Sequence, residues 1–153
     1  MKGKKLSVLS LLAVSAMILT SCSSSNDASG VKIEVPDIPM HESMGDFEGE
    51  LNIVNWAGFV DPKWTNKFEA DTGCKVKPRV AGTSDEMVTL MRTGQYDIVS
   101  ASGDAALRLI VGGDVQPLNV ELIPNFGDEI ATGMRNNIYD TVNGKPYGVP
   151  IGR

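Results

Sequence analysis

The sequence predicts an α/β domain with a mostly parallel sheet beyond residue 50. Three observations predict it. Strand-like and helix-like segments alternate from Leu51 to Gly113, the helix-like segments carry their own start and stop signals, and no repeat of fixed period underlies them. Strands separated by helices pair in parallel, because each helix carries the chain back to the end of the sheet where the next strand starts.

Taken in order, Leu51-Asn52-Ile53-Val54-Asn55 is β-branched and apolar and reads as the first strand. Asp61-Pro62 starts a helix, with an N-cap acid ahead of a proline at the first helical position. Trp64 and Phe68, four apart, share one face of it, and Gly73 ends it in the left-handed conformation that glycine accepts. Cys74 to Lys77 resumes as a strand. Thr83-Ser84-Asp85-Glu86 fits a capping box. Met87, Leu90 and Met91 form the apolar face of that helix, and Gly94 closes it. Asp97 to Ser100 is a short strand. Asp104 is expected to cap a third helix, with Leu107, Ile110 and Val111 facing inward and Gly112-Gly113 as the stop. Pro117, Pro124 and Gly127 then break the pattern, and a helix is expected around Asp128 to Arg135. Asn143-Gly144 lies between two short runs and signals a hairpin. The second run, Pro146 to Ile151, reaches almost to Arg153, so the chain reads as the N-terminal piece of something longer.

The first 21 residues are of another kind. Lys2, Lys4 and Lys5 precede an apolar run from Leu6 to Leu19, the layout of a secretory signal. The run falls short of the roughly 20 apolar residues that span a bilayer. Leu19-Thr20-Ser21-Cys22 resembles the lipobox of bacterial lipoproteins, which implies that Cys22 is acylated and becomes the first mature residue. The divisions expected are a signal peptide over 1–21, a flexible tether over 22–49 and a partial lobe over 50–153. The serines at 23–25 give the tether its reach. The short alternating run at 31–35 and His41, the one histidine, fall within it.

Removing the leader takes three lysines from fourteen basic residues. That leaves eleven against nineteen acids, a net charge of -8. Such a surface argues against nucleic acid as a partner. Cys74 is the only other cysteine, so no internal disulfide is expected. No Gly-x-Ser-x-Gly elbow, His/Cys pair, phosphate loop or metal-ligand spacing is present, and neither catalysis, a metal nor a cofactor is expected.

In open α/β sheets, ligands bind beyond the carboxyl ends of the strands. Asn55-Trp56-Ala57-Gly58-Phe59 and Ser100-Ala101-Ser102-Gly103-Asp104 occupy that position. The Trp56 ring suits an alkyl chain or an ammonium group, worth about 0.5–2 kcal/mol, though Trp56 and Phe59 equally suit plain cover for the sheet. Ser102 and Asp104 stand at a helix start. They serve as caps, as a carboxylate for an amine, or beside free N–H groups for an anion, and the residues alone do not separate these.

"LNIVNWAGFVDPKWTNKFEADTGCKV", "GTSDEMVTLMRTGQYDIVSASGDAALRLIVGGDVQPLN" and "VNGKPYGVP" together resemble bacterial extracellular solute-binding proteins of the spermidine/putrescine branch, over about residues 50–152. The resemblance implies a periplasmic-binding-protein-like (type II) fold, here one incomplete lobe without its second. It implies capture of a polyamine between two lobes and delivery to an ABC permease driven by a separate ATPase, with no chemistry on the solute. The protein would be a monomer lipid-anchored at the outer face of the cytoplasmic membrane or the periplasmic side.

Ligand contacts carry over residue by residue. Trp56 matches the family's tryptophan, while Ala57 and Phe59 replace a hydroxyl residue and a tyrosine. Ser102 matches a ligand-contacting serine. Asp104 stands where some members have an aromatic, and a carboxylate there still suits an amine. Rival readings are a receptor of the same fold for ferric iron or an organophosphonate, a truncated product that does not bind, and a surface lipoprotein enzyme. A single lobe cannot close over a solute, so weak or no polyamine binding is expected of the 153-residue chain itself.

Overall fold

The computed structural model describes residues 32–126 and 137–151. The leader, Cys22, the serine run and the helix expected around Asp128 to Arg135 lie outside the described residues.

Three strands form a parallel sheet: β1 (Glu50–Asn55), β2 (Lys75–Val80) and β3 (Ile98–Val99), in the order β2-β1-β3. Helix α1 (Pro62–Thr72) joins β1 to β2, and α2 (Ser84–Met91) carries the chain back across β1 to β3. Right-handed crossovers that run in opposite directions put the two helices on opposite faces. Helix α3 (Gly103–Gly112) follows β3 and packs against α2. A 3₁₀ turn spans Val120–Leu122, and β4 (Thr141–Val142) pairs with β5 (Lys145–Pro146) as a hairpin. Its turn residues, Asn143 and Gly144, have φ of 50° and 78°, as a type I′ turn requires.

The helix ends obey local chemistry. Asp61 accepts from the Lys63 N–H at 2.8 Å, and Gly73 closes α1 at φ 73°. Thr83 Oγ1 accepts from the Glu86 N–H at 3.1 Å. The return arm of that box, Glu86 Oε2, takes the Gly82 N–H at 2.9 Å instead of that of Thr83.

The core lies between the sheet, α2 and α3. Val54, Ala81, Met87, Val88, Met91, Ala105 and Leu109 are its buried members, with Trp56, Leu90 and Val99 among those packed around them. The rotation of α3 differs from the expected one. Ala105, Leu109 and Ile110 turn inward, whereas Val111 is exposed and Leu107 only half-buried. Ser102, with extended backbone, is the N-cap and Gly103 the first helical residue, so Asp104 lies inside the first turn and is not the cap.

Helix α1 buries no residue, and Trp64 and Phe68 are exposed. Its less exposed side is polar: Thr65, Glu69 and Thr72. Glu69 fixes that rotation by accepting from the Val76 N–H and from Lys75 Nζ, both at 2.9 Å. The Lys75 bond above all, then the Val76 N–H, holds the Glu69 carboxyl below its usual value. A lowered folded-state value means stability that is present above the ordinary glutamate range and lost as pH falls through the lowered value. Glu69→Gln is therefore expected to destabilise the protein at neutral pH and to cost nothing once both forms are uncharged. Urea melts of the two proteins in neutral and strongly acid buffer check this. An equal deficit in both buffers would remove the carboxylate charge from the account.

Residues 32–49 form no helix or strand. Several nevertheless touch the domain: Asn143 Nδ2 donates to the Ile33 carbonyl at 2.6 Å, Asn119 Nδ2 to the His41 carbonyl at 3.1 Å, and Lys145 pairs with Asp37 at 3.2 Å. Cys74 is buried as a free thiol just ahead of β2.

Candidate ligand-binding site

The carboxyl ends of β1, β2 and β3 bring three loops together. Trp56 to Phe59 turn back at the end of β1, with the Phe59 N–H on the Trp56 carbonyl at 3.1 Å. Gly58 has φ 82°, the left-handed conformation that the third position of a type II turn demands. Asn55, only 1% exposed, gives its Nδ2 to the same Trp56 carbonyl at 2.8 Å. Two donors thus hold one carbonyl and set the backbone that carries the Trp56 ring. The ring is half-buried and rests on the core.

The loop after β3 carries the polar groups. Ser102 Oγ donates to Asp104 Oδ1 at 2.6 Å and lies 2.6 Å from Ser84 Oγ, at the start of α2. Asp104 is exposed. The Ser102 hydroxyl chiefly holds its carboxyl below the usual value, the Ala105 N–H and Arg108 adding to this and desolvation opposing it.

A cleft of about 1190 Å³ runs from these loops along β3. Trp56, Phe59 and Ser102 line it together with Tyr139, Tyr147 and Asp140. Ala57, exposed on the turn, and Asp104 do not line it, and Asp104 reaches it only through its bond to Ser102. Burial above all pushes the Asp140 carboxyl up, with the Thr141 hydroxyl pulling the other way. Tyr139 packs directly on Gly103: a Cβ there would lie 2.5 Å from the ring's Cγ. Glycine at 103 is what lets an aromatic ring settle at the start of α3. Four aromatic rings and the Ser102 hydroxyl, with the Asp104 carboxylate behind it, can hold an organic cation by stacking and by accepting its N–H groups.

Of the residues that the sequence singled out by their place after strands, Trp56, Phe59 and Ser102 line the cleft, and Ala57 and Asp104 do not. Ser84 and Tyr139 were not among them, and Asn55 entered only as the start of the first loop. Tyr139 is far from Gly103 in sequence, and nothing local marks their contact.

Comparison with solved structures bears on the fold. A protein described as a spermidine/putrescine ABC transporter from Listeria monocytogenes is 26% identical, with a TM-score of 0.56 over 60% of this chain and 29% of that one. The spermidine/putrescine ABC transporter substrate-binding protein PotD from Streptococcus pneumoniae, solved with calcium and HEPES, is 25% identical. It too gives a TM-score of 0.56, over 62% of this chain and 30% of its own. The fold is periplasmic-binding-protein-like. The chain spans about 30% of the length of these solved relatives, so what it matches is part of a polyamine-transporter binding protein. No protein-family model matches it.

Within this periplasmic-binding-protein-like lobe, the aromatic and hydroxyl residues gather where the strands end. No helix among the described residues is long and apolar enough to cross a membrane.

Proposed function

We propose that this chain belongs to the solute-capturing component of an ABC importer and takes a polyamine such as spermidine or putrescine. One observation carries the reading: an aromatic cleft, lined by Ser102 with Asp104 bonded behind it, lies at the carboxyl ends of the strands in a periplasmic-binding-protein-like lobe. Both solved relatives are named for spermidine/putrescine transport, which supports the same class of solute here.

In this reading the Trp56 ring lies along the alkyl chain of the solute, and Asp104 accepts from a terminal ammonium group. Phe59 adds apolar surface, and Ala57 leaves room beside it. A second lobe closes over the solute and hands it to the permease, which a separate ATPase drives. The lobe performs no covalent step; its work is differential affinity between open and closed states. The leader and Cys22 support a lipid anchor at the cell envelope, which would keep a monomeric receptor beside its permease.

The test is native mass spectrometry of the protein extracted from its own cells in mild detergent. A diacylglycerol on Cys22 together with a retained mass equal to a polyamine is the expected result. A retained iron or phosphonate mass would replace the polyamine with another solute. An unacylated Cys22 would end the anchor.

A further inference from the structure

Ser84 opens α2 and Ser102 caps α3, each on a loop that leaves the carboxyl end of a strand. Their hydroxyl oxygens are 2.6 Å apart, and Ser102 Oγ is also 2.6 Å from Asp104 Oδ1. An ionised carboxylate only accepts, so Ser102 gives its single proton to Asp104. With that proton committed, Ser84 has to be the donor between the two serines. The protons therefore run one way, from Ser84 to Ser102 to Asp104.

This order decides what a ligand meets. Ser102 keeps one lone pair and Asp104 keeps its remaining carboxylate sites, and all of these accept. The starts of two helices would ordinarily favour an anion. Here Asp104 already supplies the negative charge and takes the Ala105 N–H. The nearby cation is also engaged: Arg108, one turn along α3, pairs with Asp85 at 2.6 Å, next to Ser84.

We infer that Ser84 is a positioning residue that sets the specificity of this site: by donating to Ser102 Oγ it fixes the hydroxyl whose proton Asp104 takes, so that the three side chains offer the ligand acceptors. The site then takes a group rich in N–H donors, a primary ammonium, and turns away phosphate and carboxylate. The inference deepens the polyamine reading and rests on Ser102 and Asp104 facing the solute.

Two measurements test it, a titration on this chain and a binding comparison in a protein with both lobes. One follows the Asp104 carboxyl carbon by NMR against pH, without ligand, in the parent, Ser102→Ala, Ser84→Ala and the isosteric pair Ser84→Thr and Ser84→Val. The other compares spermidine with inorganic phosphate by calorimetry in the protein with both lobes. The midpoint of Asp104 is expected to rise in Ser102→Ala, Ser84→Ala and Ser84→Val, and to stay at the parent's position in Ser84→Thr. The preference for spermidine over phosphate is expected to fall about tenfold in the two variants that lack the hydroxyl at 84. If Ser84→Val titrates like Ser84→Thr while Ser102→Ala shifts, Ser84 does not hold the proton and the inference is overturned. If no form of the two-lobed protein binds spermidine yet the hydroxyl at 84 still moves the Asp104 midpoint, the proton order is upheld and the polyamine reading fails.

Discussion

Met87→Ala is expected to lower the free energy of unfolding by about 2–5 kcal/mol. Met87 is fully buried, and with Val88 and Met91 it is what the eight-residue α2 contributes to the core. Truncation removes apolar contacts to a cluster that spans the sheet and α3, and neighbours held on α2, α3, β1 and β3 cannot collapse fully into the space. Against a typical domain stability of about 5–15 kcal/mol, the loss is a large fraction. Urea unfolding followed by circular dichroism checks it: the midpoint should drop with an unchanged slope. Trp64→Ala is the control, expected within about 0.5 kcal/mol because its side chain is exposed on α1. Equal costs for the two would mean that the core is not where the fold places it.

Asp104→Asn is expected to weaken spermidine binding roughly tenfold to a hundredfold in a protein with both lobes, with little effect on the fold. Asparagine keeps the shape and still accepts from Ser102, so what is lost is the charge facing the ammonium group. Titration calorimetry reads the affinity, and thermal unfolding reads the fold. Unchanged affinity would leave Asp104 as an acid that only complements the first turn of α3. The pH dependence has a definite sign. The carboxyl lies below its usual value in the folded chain, so the charge that binds an amine persists into mild acid. It is lost only as pH falls through that lowered value.

Much of the fold was legible because its signals are local. Asp61-Pro62, Thr83, Gly73, Gly113 and Asn143-Gly144 each dictate a cap or a turn by their own stereochemistry, and each does so in the structure. The rotation of α3 was not legible. The run Ala105 to Val111 carries two overlapping apolar stripes, and contact with α2 selects Ala105 and Leu109 over Leu107 and Val111. Trp64 and Phe68 misled for a related reason: α1 is attached by the Glu69 carboxylate and not by its apolar pair. In the candidate site, residues that follow strands were visible, whereas residues that meet only in three dimensions were not. Ser84 and Ser102 read as two separate helix starts, and nothing in the sequence joins Tyr139 to Gly103.

The two bonds that fix β2 have a consequence for how the protein behaves in company. Lys75 and Ala81 point their N–H groups at β1 and the residue just before it, so the alternate positions Val76, Pro78 and Val80 direct theirs the other way. Glu69 already occupies the Val76 N–H, and Pro78 has none. A foreign strand approaching this flank thus finds two of three donor positions closed, beside the exposed charges of Lys75, Lys77 and Arg79. Proline and charge on an outer strand are the usual guards against runaway strand pairing and aggregation. Among the described residues, that leaves the short β3 as the flank where the sheet can grow.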